Sequence, residues 1–383
     1  MSALALSPAT VIALTAAVGF ALAQAIVRSA HKHGHLTMDL PTGVQKFHSD
    51  PTPRVGGIAI YLAVVAAWLL LPGTGEKEIV GVILVAGMPA VFIGLLEDVT
   101  KRVSVRSRLF TTMGSGGLAA LLTGVGLTRV DIPGVDLMLA MWPVAVLFTA
   151  FCVGGVANAF NIIDGFHGLS SGTLIISALG LAAIAHSLGD PALVMAALVL
   201  AAAVGGFWLV NFPWGKLFLG DGGAYFAGFA LAWLTVILLV RHPQVSPWAS
   251  VLLCGYPTVE AVYSIVRRRR MRQSPGQPDR NHLHSLVATR LVQPRLAHLP
   301  ANLRNAAVSV LMWGCAVVTV TPAGLFPTRA NLLLAFVLIL LTLAASTLLL
   351  LRFGYWFAPA SAILVMLVLI PLWGWRRVAA ASD

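Results

Sequence analysis

Apolar runs of about 20 residues, the length that crosses a bilayer core as a helix, recur along this chain from end to end. They fall near residues 4–27, 55–72, 78–96, 109–126, 138–157, 173–187, 191–210, 224–240, 247–266, 305–322, 330–351 and 355–374. Only the short stretch from Arg352 to Trp356 separates the last two, and it reads as a turn or as a bend within one hairpin. The pattern predicts an all-α, polytopic membrane bundle of about ten to twelve transmembrane helices. Residues 1–383 read as a single integral membrane domain, and the one extended hydrophilic stretch, 267–304, as a partly ordered loop within it. No basic residue precedes the first run, so it lacks the leading charges of a signal peptide and is expected to stay as a helix.

Charge orients the runs, because Lys and Arg concentrate in loops that stay in the cytoplasm. The loops after the odd-numbered runs, first to ninth, hold 18 Lys and Arg, and those after the even-numbered runs, second to tenth, hold 4. The odd loops are therefore expected inside and the N-terminus outside, while Arg376 and Arg377 favour an odd helix count such as eleven. With 58% hydrophobic and 10% charged residues, the composition fits a membrane protein. The formal charge of +11 sits beside the bilayer, where anionic headgroups or an anionic substrate account for it better than nucleic acid. Cys152, Cys254 and Cys315 all lie in apolar runs and form neither a disulfide framework nor a metal-ligand spacing.

Polar residues gather on the same predicted side. The five odd loops carry "MDLPTGVQKFHSDPTPRVGG", "GLLEDVTKRVSVRSRL", "NAFNIIDGFHGLSSG", "NFPWGKLFLGDGGAY" and "RRRRMRQSPGQPDRNHLHS". Taken singly, each has an ordinary reading. Glu97 and Asp98 with Lys101 and Arg102 resemble a solvated helix end. "FLGDGGA" resembles a tight turn, and Arg267 to Arg270 a stop-transfer and headgroup anchor. Asn158, Asn161 and Asp164 are harder to dismiss, since such groups at a membrane boundary are solvated, paired or functional. If helical, they recur every three residues along one side of about two turns.

Asp98, Asp164 and Asp221 each stand at the same predicted membrane boundary, so helix packing can bring them together. Clustered carboxylates repel unless a cation is present, and oxygen-only ligands favour a hard ion such as Mg²⁺, with Mn²⁺ as a substitute. Lys46, Arg54, Arg106, Arg108, Lys216 and the basic fifth loop supply a rim suited to phosphate groups. Carboxylates, a hard metal and a basic rim at a membrane face point to phosphoryl chemistry on a lipid. A transporter is the competing class, but its coupling residues are expected near the bilayer midplane. An inactive scaffold would tolerate losing Asp98 or Asp221, which this chain retains.

"PTPRVGG", "GLLEDV", "NAFNIIDG", "FLGDGGA" and "PDRNHLH", in this order and spacing between about Asp39 and Leu286, resemble the polyprenyl-phosphate N-acetylhexosamine-1-phosphate transferases. The likeness is strongest to the bacterial GlcNAc-1-phosphate-transferase-like branch, glycosyltransferase family 4. The resemblance implies transfer of a sugar 1-phosphate from a UDP-sugar to undecaprenyl phosphate. It implies a multi-pass protein of the bacterial cytoplasmic membrane whose site faces the cytoplasm. By the same likeness Asp221 binds Mg²⁺ with Asn161 as second ligand, and Asp98, Glu97 and Asp164 are catalytic candidates. Lys46, Arg54, Arg108, Asn158, Asn161, His282 and His284 are substrate-binding candidates. Relatives often dimerise, so a homodimer is an expected assembly. The chain departs from the family in having Glu97 where a first aspartate is usual, Ser285 where many members have another histidine, and Ala224 where serine is common. Position 167 is often acidic in the peptidoglycan branch, and His167 argues against that substrate.

Overall fold

In a bilayer every backbone N–H and C=O must be satisfied within the protein, and this chain meets the demand with helices. The computed structural model describes residues 6–39, 51–270 and 282–338. In chain order the helices are α1 (Pro8–Arg28), α2 (Ala30–Thr37), α3 (Gly56–Leu70), α4 (Thr74–Thr100), α5 (Val105–Thr123), α6 (Val135–Leu139), α7 (Trp142–Ile162) and α8 (Leu169–Ser187). There follow α9 (Pro191–Asn211), α10 (Gly220–Arg241), α11 (Pro247–Leu253), α12 (Gly255–Arg270), α13 (Leu283–Val287), α14 (Gln293–Arg295) and α15 (Ala301–Leu325). A π-helical turn, Ala288–Val292, links α13 to α14. The only strands among the described residues are β1 (Met38–Asp39) and β2 (Thr52–Pro53), an antiparallel pair with Met38 opposite Pro53 and Asp39 opposite Thr52.

Several starts are written locally. Ser7, Asp190 and Ser246 each precede a proline that fits the first helical turn, and each side chain accepts a backbone N–H of the helix it opens. Ser104 caps α5 in the same way, and Gly124 ends it in the left-handed conformation.

The first ten apolar runs all appear as helix. Among the described residues seven helices are long and apolar enough to cross a membrane, and α11 with α12 adds an eighth if that bent pair counts as one span. The run expected as one helix over 247–266 is in fact broken, its halves meeting at 81°. Gly255 and Pro257 stand at the break, where a missing side chain and a missing N–H weaken helical continuity. The helix before the asparagine motif runs past the end of its apolar run to Ile162, so Asn158 and Asn161 are helical and Asp164 is not. Residues 330–338 are helical, as the eleventh run predicts. The rest of that run and the twelfth lie outside the described residues.

α10 is the hub. It is apolar on every side and almost completely buried, the signature of a helix enclosed by its neighbours. α3 and α4 approach its first turn so closely that a side chain at Gly57 would strike the backbone at Gly223, and one at Gly94 the backbone at Gly222. The helices alternate in direction. The C-terminal ends of α4, α7 and α12 therefore share one end of the bundle with the N-terminal ends of α5, α10 and α15. At the opposite end Asp190 faces Arg241 and His242, and Arg129 donates to the Pro243 and Val245 carbonyls.

Candidate active site

The site is assembled around Asp221, on the first turn of α10 and 6% exposed. Its Oδ1 accepts from Arg54 Nη2 at 3.0 Å and from Asn161 Nδ2 at 3.0 Å. Its Oδ2 accepts from Arg108 Nη1 at 2.6 Å and from the Tyr225 hydroxyl at 3.4 Å. Four elements far apart in sequence thus converge on one carboxylate. Arg54 is placed by the β1–β2 ribbon, where its backbone N–H donates to the Thr37 carbonyl. Burial opposes the Arg54 charge, but Asp98, Asp221 and Asp39 more than offset it and hold the guanidinium above its ordinary pKa.

Asp98 is fully buried and faces the start of α10, not the solvent. Its Oδ1 accepts the backbone N–H of Asp221 at 2.9 Å and its Oδ2 that of Gly222 at 3.0 Å. Arg54 Nε adds a bond at 3.0 Å. No side chain of α10's own caps that terminus, so Asp98 on α4 supplies the cap from another helix, where a negative charge also meets the positive end of the helix dipole. Gly220 makes the approach feasible: it adopts φ +73°, and a Cβ there would lie 2.6 Å from Asp98 Oδ2. Glu97 accepts the Val103 N–H at 2.8 Å, closing the α4–α5 turn, and stands 3.7 Å from Arg108.

The asparagine motif divides its labour. α7 ends at Ile162, which leaves Asn158 and Asn161 in its last turns and Asp164 just beyond. Asn158 Nδ2 donates to Thr112 Oγ1 and to the Gly154 carbonyl, both at 2.8 Å, so it braces α5 against α7. Asn161 reaches Asp221. The Asp164 side chain makes no hydrogen bond or ion pair among the described residues. Surrounding protein withholds water from its carboxyl and Asp221 repels its charge, which together push its pKa up to about 8. The loop that follows is pegged by the Asn211 Oδ1, which accepts the Gly168 N–H, and by the Asn305 Oδ1, which accepts the His167 N–H. His167 is buried, stacks on Phe218 and bonds to the Pro213 carbonyl. It shapes the turn before α10.

His282 and His284 lie against this loop. Their rings stack with centroids 5.1 Å apart, and His284 also meets Phe166 edge-on. Burial pushes the His284 pKa down to about 4, so that ring is neutral at pH 7. Of the basic rim, Arg106 and Lys216 are exposed, and Lys46 lies outside the described residues. The arginine run that ends α12 is not wholly a headgroup anchor. Arg269 is exposed, but Arg267 and Arg268 are buried, Arg267 lying over the Tyr263 ring at 5.0 Å.

The donor set fits a hard divalent cation. Asp221, Asp164 and the Asn161 amide offer oxygen only, and Asp164 has accepting capacity to spare. Among the described residues the cluster sets the acidic side chains of Asp39, Glu97, Asp98, Asp164 and Asp221 against the basic side chains of Arg54, Lys101 and Arg108, so acids outnumber bases. No three His, Cys, Asp or Glu side chains among those residues form a closed metal cage. An ion held by one or two carboxylates and completed by substrate phosphates and water is the usual arrangement for Mg²⁺.

Residues 80–239, from α4 to α10, match the model of glycosyl transferase family 4. Over that span the chain is similar to this family. Similar curated proteins include a probable undecaprenyl-phosphate N-acetylglucosaminyl 1-phosphate transferase of Bacillus subtilis, 28% identical over 64% of this chain and 68% of its own length. The decaprenyl-phosphate N-acetylglucosaminephosphotransferase of Mycolicibacterium smegmatis is 29% identical over 70% of each chain. The undecaprenyl-phosphate alpha-N-acetylglucosaminyl 1-phosphate transferase of Escherichia coli K12 is 27% identical over 63% of this chain and 67% of its own. The matched span contains Glu97, Asp98, Arg108, Asn158, Asn161, Asp164 and Asp221.

Tyr225, Asn211 and Asn305 are among the participants not anticipated. Tyr225 stands four residues after Asp221, so helical spacing puts both on one face. Asn211 and Asn305 act by holding a loop distant in sequence, and nothing local marks them.

Proposed function

We propose that this protein transfers a sugar 1-phosphate, carrying an N-acetylated amino sugar, from a UDP-sugar to undecaprenyl phosphate and releases UMP. The reaction is the first membrane step of a surface polysaccharide or O-antigen pathway. The observation that carries the reading is Asp221, gripped by Arg54, Arg108 and Asn161 at one end of a membrane bundle, beside an Asp164 whose side chain has no hydrogen-bond or ion-pair partner among the described residues. The names of the relatives support the acceptor and the sugar class.

An oxygen of the lipid phosphate attacks the β-phosphorus of the UDP-sugar. A new P–O bond forms as the bond to the UMP oxygen breaks, and the electron pair leaves on UMP. The lipid phosphate is already an anion near neutral pH, so no strong base is needed. Asp221 and Asn161, with Asp164 close by, would hold a Mg²⁺, whose chemistry there would be to neutralise charge on the diphosphate. Arg54 and Arg108 each present several donors where phosphate oxygens arrive, and Asp98 keeps the first turn of α10, and so Asp221, in place.

The site belongs to the cytoplasmic side of the bacterial inner membrane on this reading. Cysteines introduced at the exposed positions Thr100 and Pro243, at opposite ends of the bundle, test it. In intact cells an impermeant thiol reagent should label Pro243→Cys and spare Thr100→Cys; the reverse pattern overturns the orientation. The chemistry is tested with purified protein, undecaprenyl phosphate and a panel of UDP-amino sugars. Mg²⁺-dependent UMP release with at least one donor is expected, and its absence with every donor rejects the transferase reading.

A further inference from the structure

Glu260 is the only acidic residue between Arg241 and Asp279, and it sits in an apolar segment, on α12, 2% exposed. Buried carboxylates in such places are costly unless they are paired. Its Oε1 accepts the backbone N–H of Leu283 at 2.7 Å and lies 3.3 Å from Nδ1 of His282. Ser264, one turn further along α12, brings its hydroxyl to 3.0 Å from the same nitrogen. Its other oxygen, Oε2, is buried with no hydrogen-bond partner among the described residues. A neutral acceptor would satisfy the Leu283 N–H at lower desolvation cost, so the charge itself needs an explanation.

We propose that Glu260 is a positioning residue that fixes the histidine pair against the asparagine-motif loop, an inference that rests on the transferase reading above. A carboxylate only accepts, so the ring proton of His282 is held on Nδ1 and the ring plane is set. The orientation passes to His284, whose ring lies within 4° of parallel to that of His282. His284 in turn presses on the loop that carries Asp164. A Cβ at Gly165 would stand 3.2 Å from His284 Nε2, a tight contact that glycine avoids. Glu260 thus ties the second half of the broken span to the catalytic loop through two rings.

A purely structural anchor and a positioning residue predict different outcomes for Glu260→Gln. The glutamine keeps an oxygen for the Leu283 N–H but loses the charge facing His282. Hydrogen–deuterium exchange over residues 283–287 of the full chain in detergent should rise in Glu260→Ala and return toward wild type in Glu260→Gln. kcat/KM for the UDP-sugar that the wild type turns over should fall roughly 10- to 100-fold in Glu260→Ala and stay low in Glu260→Gln, the range expected for losing a hydrogen bond to a charged group. Glu260→Ala combined with His282→Ala should be no slower than His282→Ala alone, because the first acts through the second. Full recovery of rate in Glu260→Gln, losses that multiply in the double variant, or unchanged exchange in Glu260→Ala would each overturn the proposal. A wild type that releases no UMP defeats the transferase reading instead, and the exchange measurement still reports on Glu260.

Discussion

Asp221→Asn is expected to leave the protein folded and inserted while lowering UMP release on the order of 10³-fold or more, the scale of losing several kcal/mol of charge stabilisation. The volume is unchanged, and the surrounding cations keep partners: Arg54 retains Asp98 at 3.0 Å and Arg108 retains Glu97 at 3.7 Å. The helix start also survives, because Asp98 caps the Asp221 backbone N–H whatever the side chain. What disappears is the negative charge that a divalent ion requires. Asn161→Ala removes only a neutral donor from the same set. It should therefore raise the Mg²⁺ concentration needed for half-maximal rate while sparing most of the rate at saturation. Initial rates across a Mg²⁺ titration, with size-exclusion profiles as the control for folding, check both. Wild-type turnover by Asp221→Ala would remove the basis of the mechanism.

The architecture was legible because lipid imposes a simple rule: apolar runs near 20 residues become helices, and Ser-Pro and Asp-Pro pairs mark several starts. The rule missed what tertiary contacts decide. α7 passes through its polar motif because Asn158 finds Thr112 and Asn161 finds Asp221, neither visible from neighbours in sequence. The 81° break before α12 hid inside a continuous apolar run, with only Gly255 and Pro257 to hint at it. For the site, the order of the motifs pointed to which loops converge, but not to which side chains pair. Arg54 reads as a phosphate ligand, yet here it links Asp98 to Asp221, and Glu260 went unassigned because its partner lies 22 residues away. The charged cluster sits at one end of the helices, where a transporter would hold coupling groups near the middle.

Asp98 is where sequence and geometry diverge most, and the divergence sets the last expectation. The sequence offers Asp98 as a catalytic candidate; the structure spends both its oxygens on the first turn of α10 and on Arg54. Asparagine offers one accepting oxygen, and its NH₂ would confront a backbone N–H. Asp98→Asn therefore leaves one buried donor unpaired and strips Arg54 of a partner, a cost of roughly 3–5 kcal/mol by analogy with breaking a buried ion pair from one side. Because Asp221 begins that same turn, turnover should fall with it, by about 10²- to 10⁴-fold, the span also expected for removing an acid or base group. Rate alone does not separate the two roles. As an anchor, Asp98→Asn lowers the thermal midpoint of the detergent-solubilised protein and leaves the pH profile of the residual activity unchanged; as a base, it spares stability and flattens the acid limb. Glu97→Asp is the comparison. Glu97 closes the α4–α5 turn through Val103 and touches the site only through Arg108, so a side chain one methylene shorter should cost far less. A greater loss of initial rate in Glu97→Asp than in Asp98→Asn, or an Asp98→Asn protein as heat-stable as wild type, would show that the cap is not what Asp98 is for.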